Sequence, residues 1–234
     1  MSKNIRAIDL ALYLKDQKVL VVSDFHLGFE ESLNRRGVFV PRFQLKDILA
    51  RLEKIFEQTK PKIVVINGDL KHEFGRITEQ EWRDTLTLID FMAKNCEQIV
   101  IIKGNHDTIL APIAQKRNVK LEKQFKAGDV LILHGDVVHE IDKSVKTIII
   151  GHEHPAISLR EKGRVEKFKC FLVGKFRRKA LIVQPSFNLV VDGTDVLKER
   201  LLSPFLNRIS DFEVFIVNDK TKEVLKFGKI KSLL

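Results

Sequence analysis

Five short runs built almost wholly from Val, Ile and Leu constrain this chain more than any other feature: VLVVS at 19–23, KIVVIN at 62–67, QIVIIK at 98–103, DVLIL at 129–133 and TIII at 147–150. Continuous β-branched runs of this length read as strands covered on both faces, as in the central sheet of an α/β protein. Helices fit between the first three. In QLKDILARLEKIFEQ, Leu45, Ile48, Leu49, Leu52, Ile55 and Phe56 share one stripe at amphipathic spacing. A second helix is expected from about 79 to 94, with Thr78 three residues before Glu81 as a capping box and Trp82, Leu86, Ile89 and Met92 facing inward. The order is βαβαβ.

The flanks differ. IRAIDLALYLKDQKVLVVS reads as a hairpin turning at KDQK, and CFLVGKF, ALIVQ, EVFIVN and EVLKFGKI read as strands, the last pair joined by a turn at NDKT. These strands form or extend a second sheet. The stretch 186–207 is expected to be irregular with a short helix. With 234 residues, no repeat and no evident linker, the expectation is one domain over 1–234. No apolar run approaches the ~18 residues of a membrane span, and the first residues lack a charged-then-apolar signal pattern, which points to a cytoplasmic protein without a membrane partner. Two cysteines, Cys96 and Cys170, exclude a disulfide framework, and neither belongs to a CxxC pair.

The residues just past each run carry the chemistry. Asp24 and His26 come after the first, Gly68 and Asp69 after the second, and Gly104, Asn105, His106 and Asp107 after the third; His134 comes after the fourth, and Gly151, His152, Glu153 and His154 after the fifth. Five of the seven histidines thus lie just past a strand. Ligands in open α/β sheets bind outside the carboxyl ends of the strands, so these groups can converge. Carboxylates and imidazoles gathered in one buried place are costly to desolvate without a counter-ion. Nitrogen and oxygen donors without thiolate suit intermediate first-row ions such as manganese, iron, zinc or cobalt. The set is large enough for two ions if one carboxylate bridges, and such a pair, about 3.5–4 Å apart, clamps an in-line attack on phosphorus. At the carboxyl end of the fifth strand, His152 and His154 at i and i+2 of an extended segment point the same way, roughly 6–7 Å apart, and can send one imidazole to each ion. Gly68, Gly104 and Gly151 would let the backbone approach closely.

The ordered series D-x-H, G-D, G-N-H-D, H-G and G-H-x-H over about residues 19–155 resembles the calcineurin-like metallophosphoesterase superfamily. More narrowly, GDLKHEFG and the short chain resemble archaeal phosphoesterases related to the nuclease SbcD, with PdeM-type proteins as cousins. The resemblance implies a two-sheet β-sandwich flanked by helices, in the α/β class, without a separate capping domain. It implies that Asp24, His26 and His154 hold one metal, that Asn105, His134 and His152 hold the other, and that Asp69 bridges. His106 would contact the phosphate and stabilise or protonate the leaving oxygen, with Asp107 placed to orient it, and the nucleophile would be a metal-bridging hydroxide. Manganese is the first choice of ion, with iron, zinc, cobalt or nickel as alternatives.

His72 is a candidate for the substrate wall or a structural loop histidine, and Arg35, Arg36 and Arg42 for binding substrate phosphate or for plain solubility. Net charge is +10 with pI near 9.6, a balance that attracts polyanions. Segment 160–179 holds nine basic residues against Glu161 and Glu166, interleaved with Phe168, Phe171 and Phe176. It reads either as a nucleic-acid track or as two solvated strands with their rings in the core. The expected activity is two-metal hydrolysis of phosphodiesters, with DNA the favoured substrate and a role in repair. A small or cyclic-nucleotide diester is the alternative, since SbcD-type nucleases carry an added DNA-contacting domain that this chain is too short to hold. A non-catalytic metal- or nucleic-acid-binding subunit beside a repair protein is the alternative of another class.

Overall fold

The computed structural model describes residues 2–117, 119–161 and 163–233. Strands β1 (Ile5–Ile8), β2 (Ala11–Leu14) and β3 (Val19–Val22) lead into helices α1 (Phe29–Arg35) and α2 (Gln44–Thr59). After β4 (Ile63–Asn67), α3 (Glu79–Ala93), β5 (Gln98–Ile102), α4 (Ala111–Arg117) and β6 (Lys120–Glu122), the first sheet is complete in the order β1-β2-β3-β4-β5-β6. From β3 to β6 neighbours are parallel.

The second sheet is built from β7 (Gln124–Ala127), β8 (Val130–Leu133), β9 (Thr147–Ile150), β10 (Pro155–Glu161), β11 (Arg164–Phe176), β12 (Lys179–Val183) and β13 (Thr194–Asp195). Its order is β13-β10-β11-β12-β9-β8-β7, and the hairpin of β14 (Glu213–Val217) and β15 (Val224–Lys229) joins through β11. Strands β8, β9 and β12 run parallel, so each sheet contributes parallel strands ending at one edge of the sandwich.

The five β-branched runs are β3, β4, β5, β8 and β9. Their inner positions carry little or no exposure because both faces are covered. In the second sheet, Ile132, Ile149 and Ile182 face the core shared with the first sheet, while Leu131, Leu133, Ile148, Ile150, Leu181 and Val183 face an outer cluster. Ile48, Leu52, Ile55 and Phe56 of α2 and Leu88, Ile89 and Met92 of α3 close the far side of the first sheet. Trp82 and Leu86 pack there only partly buried. The capping box forms: Thr78 accepts from the Glu81 amide at 3.1 Å and its own amide donates to Glu81 Oε2 at 2.8 Å.

Three expectations change. Segment 186–207 forms no helix; it is irregular around β13, and Val196, Phe205 and Leu206 cover the outer face of the second sheet, where an extended cover meets the strands without helical periodicity. The first hairpin gains a strand, because Asp9 in a left-handed conformation (φ 51°) turns β1 back on β2, and through β3 it extends the first sheet rather than a second one. The basic residues of 160–179 do not form one patch. Among the described ones, Arg164 lies at one end of the 13-residue β11 and Lys175, Arg177 and Arg178 lie at the other. Phe171 is fully buried and Phe168 and Phe176 pack on the outer cluster, so their rings serve the core. Lys167 and Lys169 turn to Glu199 and Ser186, and burial lowers the Lys169 ammonium pKa to about 7. No described helix is long and apolar enough to cross a membrane.

Candidate metal centre

Each strand run ends in a tight backbone bend, and the bends bring the polar side chains together. Asp24, His26, Asp69, His152 and His154 all have φ between 45° and 63°. Asp and His tolerate this left-handed region better than most residues, yet each such position costs on the order of 1 kcal/mol. His152 and His154 are therefore not pleated neighbours on a strand, as their spacing suggests. They leave successive bends beyond β9, while Glu153 between them turns away and accepts from the Leu202 and Ser203 amides, both at 2.8 Å.

Two groups with a shared member result. Asp24, His26, Asp69 and His154 place one donor atom each within 4.8 Å of one another, and so do Asp69, His134 and His152. Asp69 Oδ2 lies 3.6 Å from His26 Nε2 and 3.5 Å from His134 Nε2. His26 and His154 face each other through Nε2 atoms 3.3 Å apart, and His152 Nδ1 lies 3.2 Å from His134 Nε2. Asn105 Oδ1 joins the second group at 3.0 Å from His134 Nε2. These are the seven side chains that the family resemblance implies as ligands.

The donor set suits divalent cations. Asp24 is fully buried; Ser23 Oγ and the His152 amide bind its Oδ2, whereas Oδ1 has no hydrogen-bond donor and looks toward His154 Nε2 at 3.5 Å and His134 Nδ1 at 3.7 Å. A buried carboxylate oxygen left bare is costly, and a cation removes that cost. Burial raises the Asp24 and Asp69 carboxyls, but the facing imidazoles override it, chiefly His154 for Asp24 and His134 for Asp69, and both end below the usual range. His26 is lowered to about 3 by burial and by His154, while the two carboxylates carry His134 up to about 9 against its burial.

The glycines act as the spacing suggests, including Gly151, where a Cβ would collide with Ser23 Oγ and Asp24 Oδ2. A Cβ on Gly68, whose φ is 83°, would stand 2.0 Å from His134 Nδ1, and one on Gly104 would stand 2.1 Å from Asp69 Oδ1.

His106 stands at the mouth, with Nε2 4.0 Å from Asp69 Oδ2 and its amide on Asp69 Oδ1 at 2.9 Å. Its ring is held differently from the expectation. Asp107 is buried and spends its carboxylate on the amides of Leu70 (3.1 Å), Lys71 and Gly104 (3.1 Å), tying the second and third motifs together. Burial, with Asp69 nearby, raises its pKa to about 7. The His106 ring is instead held at Nδ1 by the His72 carbonyl, since adjacency in sequence does not make side chains meet. The His72 ring lies against His106, centroids 5.5 Å apart, and against Phe29 at 4.5 Å, which puts it on the wall of the site. His26, His72 and His106 form a further nitrogen grouping. Arg42 donates to Glu31 at 2.6 Å, a partner eleven residues away that gave no signal in the pattern.

Sequence reasoning missed Glu81 and Phe74. Glu81 Oε1 accepts the amides of His72 (3.0 Å) and Glu73 (2.7 Å), so the capping residue of α3 also fixes the loop beside His106. The capping pattern marked the residue but not this second task. Phe74 lies over His106; it falls within GDLKHEFG, but that stretch assigned it no task.

Two sheets whose parallel strands deliver carboxylates and imidazoles to one buried point form a candidate metal centre. The model of the calcineurin-like phosphoesterase family matches residues 17–156, and the chain belongs to that family. No curated protein matches it. Among solved structures, Pseudomonas putida nuclease MPE is similar with a TM-score of 0.66 and 19% identity, over 95% of this chain and 94% of that one. The Escherichia coli phosphoesterase Yfce gives 0.43 and 10% over 90% and 98%.

Proposed function

We propose that the chain is a two-metal phosphodiesterase acting on nucleic acid. The observation that carries this reading is Asp69 Oδ2, placed within 3.6 Å of an imidazole from each donor group, where one carboxylate can serve both. Asp24, His26 and His154 would hold one ion and Asn105, His134 and His152 the other, with Asp69 between them. When bound, the ions supply charge for the phosphoryl oxygens and an activated water. His106 then works at the leaving oxygen. With Nδ1–H donating to the His72 carbonyl, its Nε2 faces the cluster and can carry the proton that the departing oxygen needs. His72, stacked beside it, forms the wall against which a substrate rests.

A net charge of +10 supports a polyanionic substrate, and the narrower resemblance to SbcD-related proteins belongs with that reading. The fold shared with a nuclease over nearly its whole length is compatible with it. Manganese is the ion to supply first, since nitrogen and oxygen donors without sulfur suit it.

The test is cleavage of end-labelled single-stranded and duplex DNA with manganese, with Asp69→Asn as control. Cuts lost in the variant support the reading. If neither DNA is cut while a small or cyclic diester is hydrolysed, the substrate class is wrong; if no diester is hydrolysed under metal-saturating conditions, the enzymatic reading fails.

A further inference from the structure

Phe74 is 58% exposed, yet its ring is not loose on the surface. It packs on the His106 imidazole with centroids 3.7 Å apart and planes at 34°, and His72 packs on the same imidazole. The loop beneath it is fixed on both sides. Glu81 takes the amides of His72 and Glu73, Lys71 Nζ reaches the Glu73 carbonyl, and Arg76 pairs with Glu73 at 3.1 Å. A large apolar ring is thus held open to solvent directly beside the group assigned to the leaving oxygen. Packing alone does not call for this arrangement, because the same ring would gain more by turning into the core.

We propose that Phe74 is a stacking platform for the nucleobase on the leaving-group side of the scissile phosphate, so that the site selects nucleotidyl diesters over plain alkyl ones. The inference rests on the phosphodiesterase reading and deepens it. An aromatic face binds any base, because every base presents a π-face. The subsite is therefore tolerant of sequence and intolerant of a missing base. His106 sets which side is read: it acts on the leaving oxygen, and the ring in contact with it can reach only the sugar and base attached there.

The experiment uses the manganese-loaded protein and single-stranded oligonucleotides carrying one abasic residue at successive positions, with kcat/KM mapped at each bond. Wild type is expected to cut bonds with a base on the leaving-group side about tenfold faster than bonds lacking it, with little effect of an abasic residue on the other side. In Phe74→Ala that ratio falls to near one, and Phe74→Trp restores it. Equal slowing of intact and abasic sites in Phe74→Ala would show a mere cover for His106 and overturn the inference. So would a ratio that survives the substitution. If the wild type cuts no oligonucleotide at all, the nucleic-acid reading falls first and the inference falls with it.

Discussion

Replacing Glu81 by Gln tests whether one buried carboxylate couples helix capping to catalysis. Glu81 is fully buried and accepts three backbone amides: His72 and Glu73 on Oε1, Thr78 on Oε2. A hydrogen bond to a charged group contributes about 1.5–3 kcal/mol, and a neutral one about 0.5–1.5. Gln keeps a single acceptor oxygen. Turned toward His72 and Glu73, it preserves two bonds at reduced strength and sets its NH2 against the Thr78 amide. The loss from one deleted and two weakened bonds, partly offset by not burying a charge, comes to about 2–3 kcal/mol. For a chain of this size that lowers the Tm by roughly 5–10 °C.

The kinetic consequence separates positioning from stability. The amides of His72 and Glu73 fix the loop whose His72 carbonyl holds His106 Nδ1, so loosening them misdirects Nε2. Turnover of a manganese-loaded diester assay should fall about tenfold, a fraction of the 10²–10⁴ that a general acid contributes. KM should change little. Thr78→Ala is the control. It removes the cap, about 1 kcal/mol, without touching His72 or Glu73, and should lower Tm while leaving kcat close to wild type. Equal kcat losses per degree of Tm in both variants, or wild-type turnover in Glu81→Gln, would refute the coupling.

Gly68→Ala forces a Cβ to within 2.0 Å of His134 Nδ1 at a φ of 83°. Elemental analysis should then find at most one ion per chain instead of two, and full loading would contradict the assignment of His134. Supplying manganese at about a hundred times its Kd should add about 2.7 kcal/mol of stability, or roughly 5–11 °C in Tm, read by thermal unfolding with and without the ion. Asp24→Asn should lose most of that gain. Burial lowers the Lys169 ammonium pKa from 10.5 to about 7, so between those pH values the unfolded chain binds the extra proton and stability rises with pH. Lys169→Met should flatten that rise in denaturant unfolding between pH 7 and 9.5, and an unchanged slope would place the ammonium in water.

The fold was legible where burial is two-sided. Strands β3, β4, β5, β8 and β9 are covered on both faces, so their composition is continuous and β-branched, and each begins and ends within about a residue or two of its run. Helices α1 and α4 span seven residues each, too short to build a periodic stripe. Segment 186–207 hides for a different reason. Phe187 packs in the inner core while Val196, Phe205 and Leu206 pack on the outer face, and a chain crossing between two environments has no single period.

The candidate site was legible in its residue types and not in its geometry. A motif shows which atoms stand near the end of a strand, and seven nitrogen- or oxygen-bearing side chains do meet there. How they meet depends on five left-handed bends at Asp24, His26, Asp69, His152 and His154, which no composition announces. At ~1 kcal/mol each, these bends sum to about 5 kcal/mol, as much as the whole stability of a marginal domain. The cost is concentrated where imidazoles and carboxylates also crowd one another. The rest of the fold offsets it with two buried faces per sheet and with three carboxylates that bind backbone amides: Asp107, Glu81 and Glu153. These carboxylates are not ligands, and two of them lie within two residues of one in sequence. That explains why Asp107 looked like a partner of His106: the motif places an acid at that position, and the acid's task is to hold the backbone of the neighbouring motif in its strained bend.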